Sequence, residues 1–489
     1  MTSPDHDRLQ SEPPFDRLRA MSEVEWRPQG SGPIQWRQWD HAYLWHPFTQ
    51  MREWLAEEPL VIERAEGNYL IDSDGKRYLD GVSSLWCNVH GHGRREIVEA
   101  IRAQLDAVAH STMLGLTNVP ATVLAKRLIE VAPPGLQRVF YSDSGATAVE
   151  IALKMAFEYW QLRGDSERTL FVSLAESYHG DTIGAMSVGY SEAFHRRYRP
   201  LLFPCLRIAP PPVYRSSRNA SAADALEQSL REAENVFEAN RARIAALIVE
   251  PLMQGAAGMW AHPVEYLAGL HRLCREHNIL FIADEVAVGF GRTGKLFACE
   301  HAGITPDLLC LGKGISGGVL PLAATLTTPE IFRAFLGDHE ERRTFFHGHT
   351  YTGNPLACAA GIASLDLFSQ DNTLAQMAPR VSLLKELLRP VSELEHVADI
   401  RQWGYMVGIE LAEDVPSRRP YPPGRRIGKQ VILEARKCGV LLRPLGDVIV
   451  LMPPLSTTDE ELRCLVATVS ESIREVTQPS EPTSLSSRA

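Results

Sequence analysis

Unbroken apolar runs alternate with stretches of helical spacing from about residue 139 onward. The runs are VFYS (139–142), TLFVSLA (169–175), IAALIVEP (244–251), ILFIADEV (279–286) and DLLCLG (307–312). A strand that reads as continuously apolar is covered on both faces, so these runs predict a mainly parallel sheet flanked by helices. The helical spacing is clearest after Gly145, where Ala148, Ile151, Ala152, Met155 and Tyr159 fall on one stripe. From about residue 370 the pattern changes to a helix (LAQMAPRVSLLKELLRPV), short strands (VADIRQWGYMVGIEL), a second helix (RRIGKQVILEARKCGV) and strand pieces (VLLRPL, VIVLMPP). The fold class expected is α/β, a large domain on a mainly parallel sheet plus a smaller α+β domain.

Residues 1–38 are rich in Pro, Ser, Asp, Glu and Arg without apolar periodicity, which predicts a mobile N-terminal extension; 478–489 predict a disordered tail. The pattern divides the rest into an N-terminal segment, 39–90, packing with the small domain, a large domain over 91–368 and the small domain over 369–477.

Composition narrows the function classes. A chain of 489 residues, 45% hydrophobic and 22% charged, has enough apolar surface for both cores. Fifty basic against 60 acidic residues give a net charge of −10, the wrong sign for holding a phosphate backbone without a segregated basic face, and no such face is visible. Nucleic acid is therefore set aside. The eight cysteines are scattered with no C-x-x-C pair, as reduced thiols would be. No apolar run reaches bilayer length, and the start, MTSPDHDRLQSEPPF, lacks the pattern of a signal peptide, so a soluble cytoplasmic protein without a membrane partner is expected.

Ligands of open parallel sheets sit beyond the carboxyl ends of the strands, and three features converge there. In YSDSGATAVE (141–150) a strand passes through Gly145 into a helix, whose N-terminal N–H groups suit a phosphate. Asp284 ends an apolar strand, where a buried carboxylate needs a cationic partner or hydrogen bonds. Lys313 follows the next strand between Gly312 and Gly314, which would leave room for a bulky group while burial lowers the amine pKa. Singly, these are a capped turn, a satisfied aspartate and a surface lysine. Together they supply partners for the phosphate, ring nitrogen and aldehyde of pyridoxal 5'-phosphate. The G-x-G-x-x-G of residues 289–294 does not open a clear helix and is read as a loop. The pairs His90/His92 and His347/His349 have no further ligand at metal spacing, so no metal is expected.

On these motifs the chain, from about residue 40 to 475, resembles the class III aminotransferases of the fold-type-I pyridoxal-phosphate enzymes. The stretch FIADEVAVGFGRTGKLFACEHAGITPDLLCLGKGISGG (281–318) carries the Asp and Lys in register. WHPFTQM (45–51), DGVSSLWCNVHGH (80–92), YHGDTIGAMSVG (178–189), HGHTYTGNPLACAA (347–360) and RPLGDVIVLMPP (443–454) narrow the resemblance to the biotin-biosynthesis branch. It implies a ping-pong exchange between an amino donor and 8-amino-7-oxononanoate. It further implies that Gly145 and Ala146 hold the phosphate, that Tyr178 lies against the ring, that Asp284 pairs with the ring nitrogen, and that Lys313 bonds the aldehyde and moves the proton. Gly348, His349 and Thr350 would reach across a homodimer interface, Thr350 to the partner's phosphate; Arg443 would bind the substrate carboxylate; and Phe48 and Trp86 would line the substrate channel. Glu250-Pro251-Leu252-Met253-Gln254-Gly255 is followed by Ala256 rather than the Glu of ornithine- and 4-aminobutyrate-type relatives. Two departures bear on the donor. Members using S-adenosylmethionine have a tyrosine and two adjacent tryptophans where this chain has Phe48 and Leu85-Trp86, which inclines the expectation toward L-lysine. The alternatives are another class III ω-aminotransferase and a cofactor-binding protein without turnover.

Overall fold

A computed structural model describes residues 32–211 and 222–478. They form two compact units: a smaller one of the described residues up to Ala65 with Leu70–Arg77, and a larger one of Glu66–Tyr69 with Tyr78 onward.

The smaller unit contains helix α1 (Pro33–Tyr43), with proline in its first turn, where the missing N–H costs nothing. Residues 33–38 of the expected mobile extension 1–38 lie in this helix, a correction to that expectation. The apolar pattern missed it because α1 buries none of its residues. Polar ties hold it instead: Arg37 pairs with Asp74 at 2.6 Å and Glu58 at 3.1 Å, while Asp40 accepts from Trp54 Nε1 at 2.6 Å and contacts His46 Nε2 at 2.8 Å. The rest of the predicted extension, and the tail beyond Gln478, lie outside the described residues.

In the larger unit the central sheet has seven strands: β1 (Arg138–Ser142), β2 (Leu170–Leu174), β3 (Cys205–Ile208), β4 (Ile244–Val249), β5 (Leu280–Asp284), β6 (Leu308–Leu311) and β7 (Ala323–Thr327). Their order is β1-β7-β6-β5-β4-β2-β3, parallel except for β7, which runs antiparallel to both neighbours. Five of these are the apolar runs of the sequence. The other two carry weaker signals, since β3 is an edge strand with most of its residues half-buried, and β7 is Ala-Ala-Thr-Leu-Thr, buried but poor in large apolar groups. Helix α2 (Gly145–Leu162) starts from a Ser144–Thr147 capping box. It buries the five residues of the predicted stripe together with Val149, Leu153, Ala156 and Trp160. Its Ala148 carbonyl accepts a hydrogen bond from Thr325 Oγ1 of β7 at 2.8 Å, tying the helix to the sheet.

The carboxy-terminal segment forms a four-stranded antiparallel sheet, β8 (Val397–Trp403), β9 (Met406–Leu411), β10 (Arg443–Leu445) and β11 (Val448–Leu451), in the order β8-β9-β11-β10. Helices α3 (Ile427–Lys437) and α4 (Asp459–Thr477) accompany it. Residues 91–368 and 369–477 belong to one compact unit. Arg401 of β8 shows why: it is buried against Glu410 and donates to the carbonyls of Gly258 at 2.7 Å and Met259 at 2.9 Å, in the loops beyond the central sheet. Among the described residues no helix is long and apolar enough to cross a membrane.

Candidate active site

Five strands of the central sheet deliver chemistry at their carboxyl ends. Ser144 and Gly145 follow β1, Tyr178 and His179 follow β2, Glu250 follows β4, Asp284 closes β5, and Lys313 comes two residues after β6. Strand order alone therefore brings together residues up to 169 positions apart in sequence, between Ser144 and Lys313.

Asp284 is buried, and its Oδ2 lies 2.7 Å from His179 Nδ1, while Oδ1 accepts from Val286 N at 3.0 Å. The opposite ring atom, His179 Nε2, is buried with no protein partner. Lys313 sits in the left-handed backbone region at φ 43°, an uncommon conformation for a side-chain-bearing residue. Its Nζ lies 5.5 Å from the centre of the Trp86 ring. Burial lowers the Lys313 pKa, opposed by the nearby charges of Asp284 and Glu250. A fraction of neutral amine is what a lysine nucleophile needs.

The glycines act differently from the sequence expectation of open room. A Cβ on Gly145 would come within 2.4 Å of Val286 Cγ1, and one on Gly312 would meet the same atom at 3.2 Å and Gly145 Cα at 3.3 Å. Gly314 is equally closed, by Phe290 Cβ at 2.9 Å. The flanking space belongs to the protein, and the glycines let the ends of β1, β5 and β6 pack together. Gly180, at φ 117°, likewise rests on Ala146, whose Cβ would stand 2.4 Å from a side chain there.

Tyr178 donates its hydroxyl proton to Asp181 Oδ2 at 2.7 Å, its ring stacks on His195 with centroids 6.1 Å apart, and its N–H donates to Glu250 Oε1 at 3.0 Å. Burial, then the Asp181 hydrogen bond, push its pKa up, so the phenol stays protonated. Arg443, at the start of β10, is partly buried; burial lowers its pKa, and its charge lies near enough to Tyr178 to act on that phenol's titration. His349 Nδ1 stands 3.9 Å from Asp143, beside the start of α2, while Gly348 and Thr350 are exposed on the described chain. Phe48 belongs to the smaller unit, where it is exposed with φ 52°.

His179 and Glu250 carried no role in the sequence reading. The only signal for His179 was its place in YHGD, and its apposition to Asp284, 105 positions away, is a tertiary fact. The glycine motif 289–294 forms turns, with Arg292 buried and donating to the carbonyls of Pro453 at 2.7 Å and Asn88 at 2.6 Å. His92 pairs with Asp80 at 2.9 Å and His90 with Ser364 at 3.0 Å; among the described residues no cluster of three His, Cys, Asp or Glu could hold a metal. All eight cysteines are unpaired.

The donor set fits pyridoxal phosphate. A half-buried lysine of lowered pKa, a buried carboxylate hydrogen-bonded by a histidine, an unpartnered buried imidazole nitrogen and a capped helix start converge at one set of strand ends. Residues 51–473 match the class III aminotransferase family. The chain belongs to that family and is a pyridoxal-phosphate-dependent aminotransferase. It is 54% identical over 443 residues to the adenosylmethionine-8-amino-7-oxononanoate aminotransferase of Geobacter sulfurreducens, spanning 90% of this chain and 98% of that one. The Nitratidesulfovibrio vulgaris enzyme of the same name is 55% identical, over 90% of this chain and 82% of its own. Among solved structures, the Methanocaldococcus jannaschii enzyme of that name superposes with a TM-score of 0.86 at 48% identity, covering 90% and 99% of the two chains. An (S)-enantioselective omega-transaminase from Thermomicrobium roseum superposes at 0.88 with 34% identity, covering 91% and 99%.

Proposed function

We propose that this aminotransferase converts 8-amino-7-oxononanoate to 7,8-diaminononanoate in biotin biosynthesis by a ping-pong exchange. The names of the relatives at 54% and 55% identity support the substrate. The observation that carries the reading is Arg443, a partly buried cation beside Tyr178 in the same unit as Lys313, suited to a substrate carboxylate at a distance from the reacting carbon.

Asp284 would hold the cofactor's ring nitrogen, the Ser144–Ala146 turn its phosphate, and Lys313 its aldehyde. When bound, pyridoxal phosphate supplies a carbonyl for amine exchange and a ring that withdraws electrons from the substrate carbon. Lys313 Nζ takes the proton from the donor carbon and later returns one to the acceptor. Asp284, oriented by His179, would present a carboxylate oxygen to the ring nitrogen. The Trp86 ring lies over the Lys313 amine, and Arg443 orients the substrate chain.

The relatives' names favour S-adenosylmethionine as donor. Phe48 and Leu85 favour L-lysine, because Phe48 lacks a tyrosine hydroxyl and Leu85 lacks an indole face that a sulfonium and an adenine would use. The active unit is a homodimer in which Thr350 serves the partner's phosphate. Leu114, Leu116 and Val119 are exposed, and so are Phe346 and Tyr351. The two segments that carry them adjoin: Asn118 donates to the Gly353 carbonyl at 3.0 Å, and the His110 and Tyr351 rings lie 5.0 Å apart. Such an apolar surface suits a second copy.

The test is amination of 8-amino-7-oxononanoate by the purified holoenzyme with each donor, the product followed by chromatography, beside Lys313→Ala. Turnover in the wild type and a loss on the order of a hundredfold to ten-thousandfold in the variant support the reading. Near-normal turnover by Lys313→Ala overturns the role of the lysine. The likeness to the omega-transaminase favours a second reading, a different amine acceptor, which gains ground if 8-amino-7-oxononanoate is refused while another ketone is aminated.

A further inference from the structure

Glu250 has no part in the steps above, yet it stands among the residues that perform them. It follows β4 directly and is buried. Its Oε1 accepts from Tyr178 N at 3.0 Å and its Oε2 from Gly255 N at 2.9 Å. The two donors belong to different parts of the site. Tyr178 opens the segment beyond β2, whereas Gly255 lies against Trp86: a Cβ there would come within 3.1 Å of the indole Cζ3 and within 3.8 Å of Glu250 Oε2. Trp86 in turn covers Lys313 Nζ. A single carboxylate thus spans from the Tyr178 backbone to the turn that supports the tryptophan.

Resting on the aminotransferase reading above, we infer that Glu250 is a positioning residue whose carboxylate sets Tyr178 relative to Trp86 and so determines how well the acceptor's carbon chain fits on its way to Lys313. Two convergent N–H donors need an acceptor on each arm, which a carboxylate offers and an amide does not. Keeping a carboxylate here is costly, since burial raises its pKa to about 7, with His179 opposing and Asp284 adding to the rise. An apolar side chain would avoid that cost but leave both N–H groups buried without partners. Gly255 fits the same account, because its missing side chain is the space that the indole edge occupies.

The experiment uses the holoenzyme with pyridoxal phosphate, 8-amino-7-oxononanoate and one fixed donor, and compares wild type with Glu250→Gln, Glu250→Asp, Gly255→Ala and the Gln/Ala double variant. Glu250→Gln keeps one arm and loses the other, so KM for the acceptor rises by about tenfold while kcat changes little and the cofactor absorption band stays in place. Glu250→Asp retains both acceptors on a shorter reach and shows a smaller rise. Gly255→Ala presses on the same indole, so the double variant raises KM by less than the product of the single effects. An unchanged KM in Glu250→Gln overturns the inference, as does full multiplication of the two effects. A fall in kcat and cofactor affinity in step with thermal stability also overturns it, leaving a purely structural carboxylate. If wild type refuses 8-amino-7-oxononanoate, the reading of substrate fails separately, and the same KM comparison is made on whichever acceptor it aminates.

Discussion

His179 and Asp284 meet through a hydrogen bond of 2.7 Å between Nδ1 and Oδ2, inside the protein and behind the carboxylate that closes β5. The imidazole fixes one oxygen and Val286 N the other, so Asp284 cannot rotate away from the strand end.

If Asp284 stabilises charge at the cofactor ring, Asp284→Asn lowers kcat by on the order of a hundredfold to a thousandfold. His179→Asn costs less by itself. Because the histidine acts through the aspartate, the double variant is no slower than Asp284→Asn alone. Steady-state kinetics of the three variants check this, and independent multiplicative losses would show that His179 has a separate role.

Gly145→Ala places a methyl group 2.4 Å from Val286 Cγ1, a contact that must be relieved by movement of either the helix start or the loop after Asp284. The expected cost is about 1–3 kcal/mol of stability, together with weaker cofactor retention. Adding Val286→Ala opens the space and restores much of both. Thermal melting and cofactor release on gel filtration give the two readouts.

Arg443→Lys keeps the charge and loses the planar fork. A charge-assisted contact of this kind is worth about 1.5–3 kcal/mol, so KM for 8-amino-7-oxononanoate rises severalfold or more, with kcat less affected. An unchanged KM moves the carboxylate site elsewhere.

Glu285, next to Asp284, faces away from this chemistry and gives a pH dependence of stability. Its buried carboxyl accepts from Ala298 N at 2.6 Å and Cys299 N at 2.8 Å, and burial raises its pKa from 4.5 to about 7. Between those values the unfolded chain has released the proton that the folded chain still holds, so the contribution of Glu285 to stability falls as pH rises through the window. Glu285→Gln has no proton to release in this window. The melting temperature of wild type relative to the variant should therefore be highest below about 4.5 and lowest above about 7. A constant difference would place the titration elsewhere.

The sequence by itself determined the central strands β1, β2, β4, β5 and β6, because strands inside a covered parallel sheet are mostly apolar and leave nearly unbroken runs. It also singled out Asp284, Lys313 and Gly145, since each lies at the end of such a run, where a parallel sheet presents its ligand side. Helix α1 escaped because charged pairs, not an apolar stripe, hold it. Strand β7 escaped because alanine and threonine suffice where helix α2 packs close. The purpose of Gly145 and Gly312 was legible as the need for a missing side chain, but which neighbour takes the space, Val286, depends on how three strand ends meet. The pairing of His179 with Asp284 and the span of Glu250 from Tyr178 to Gly255 were decided only by the tertiary structure. A hydrogen bond between residues from different strands depends on strand order and register, and neither is written into the local periodicity of either strand.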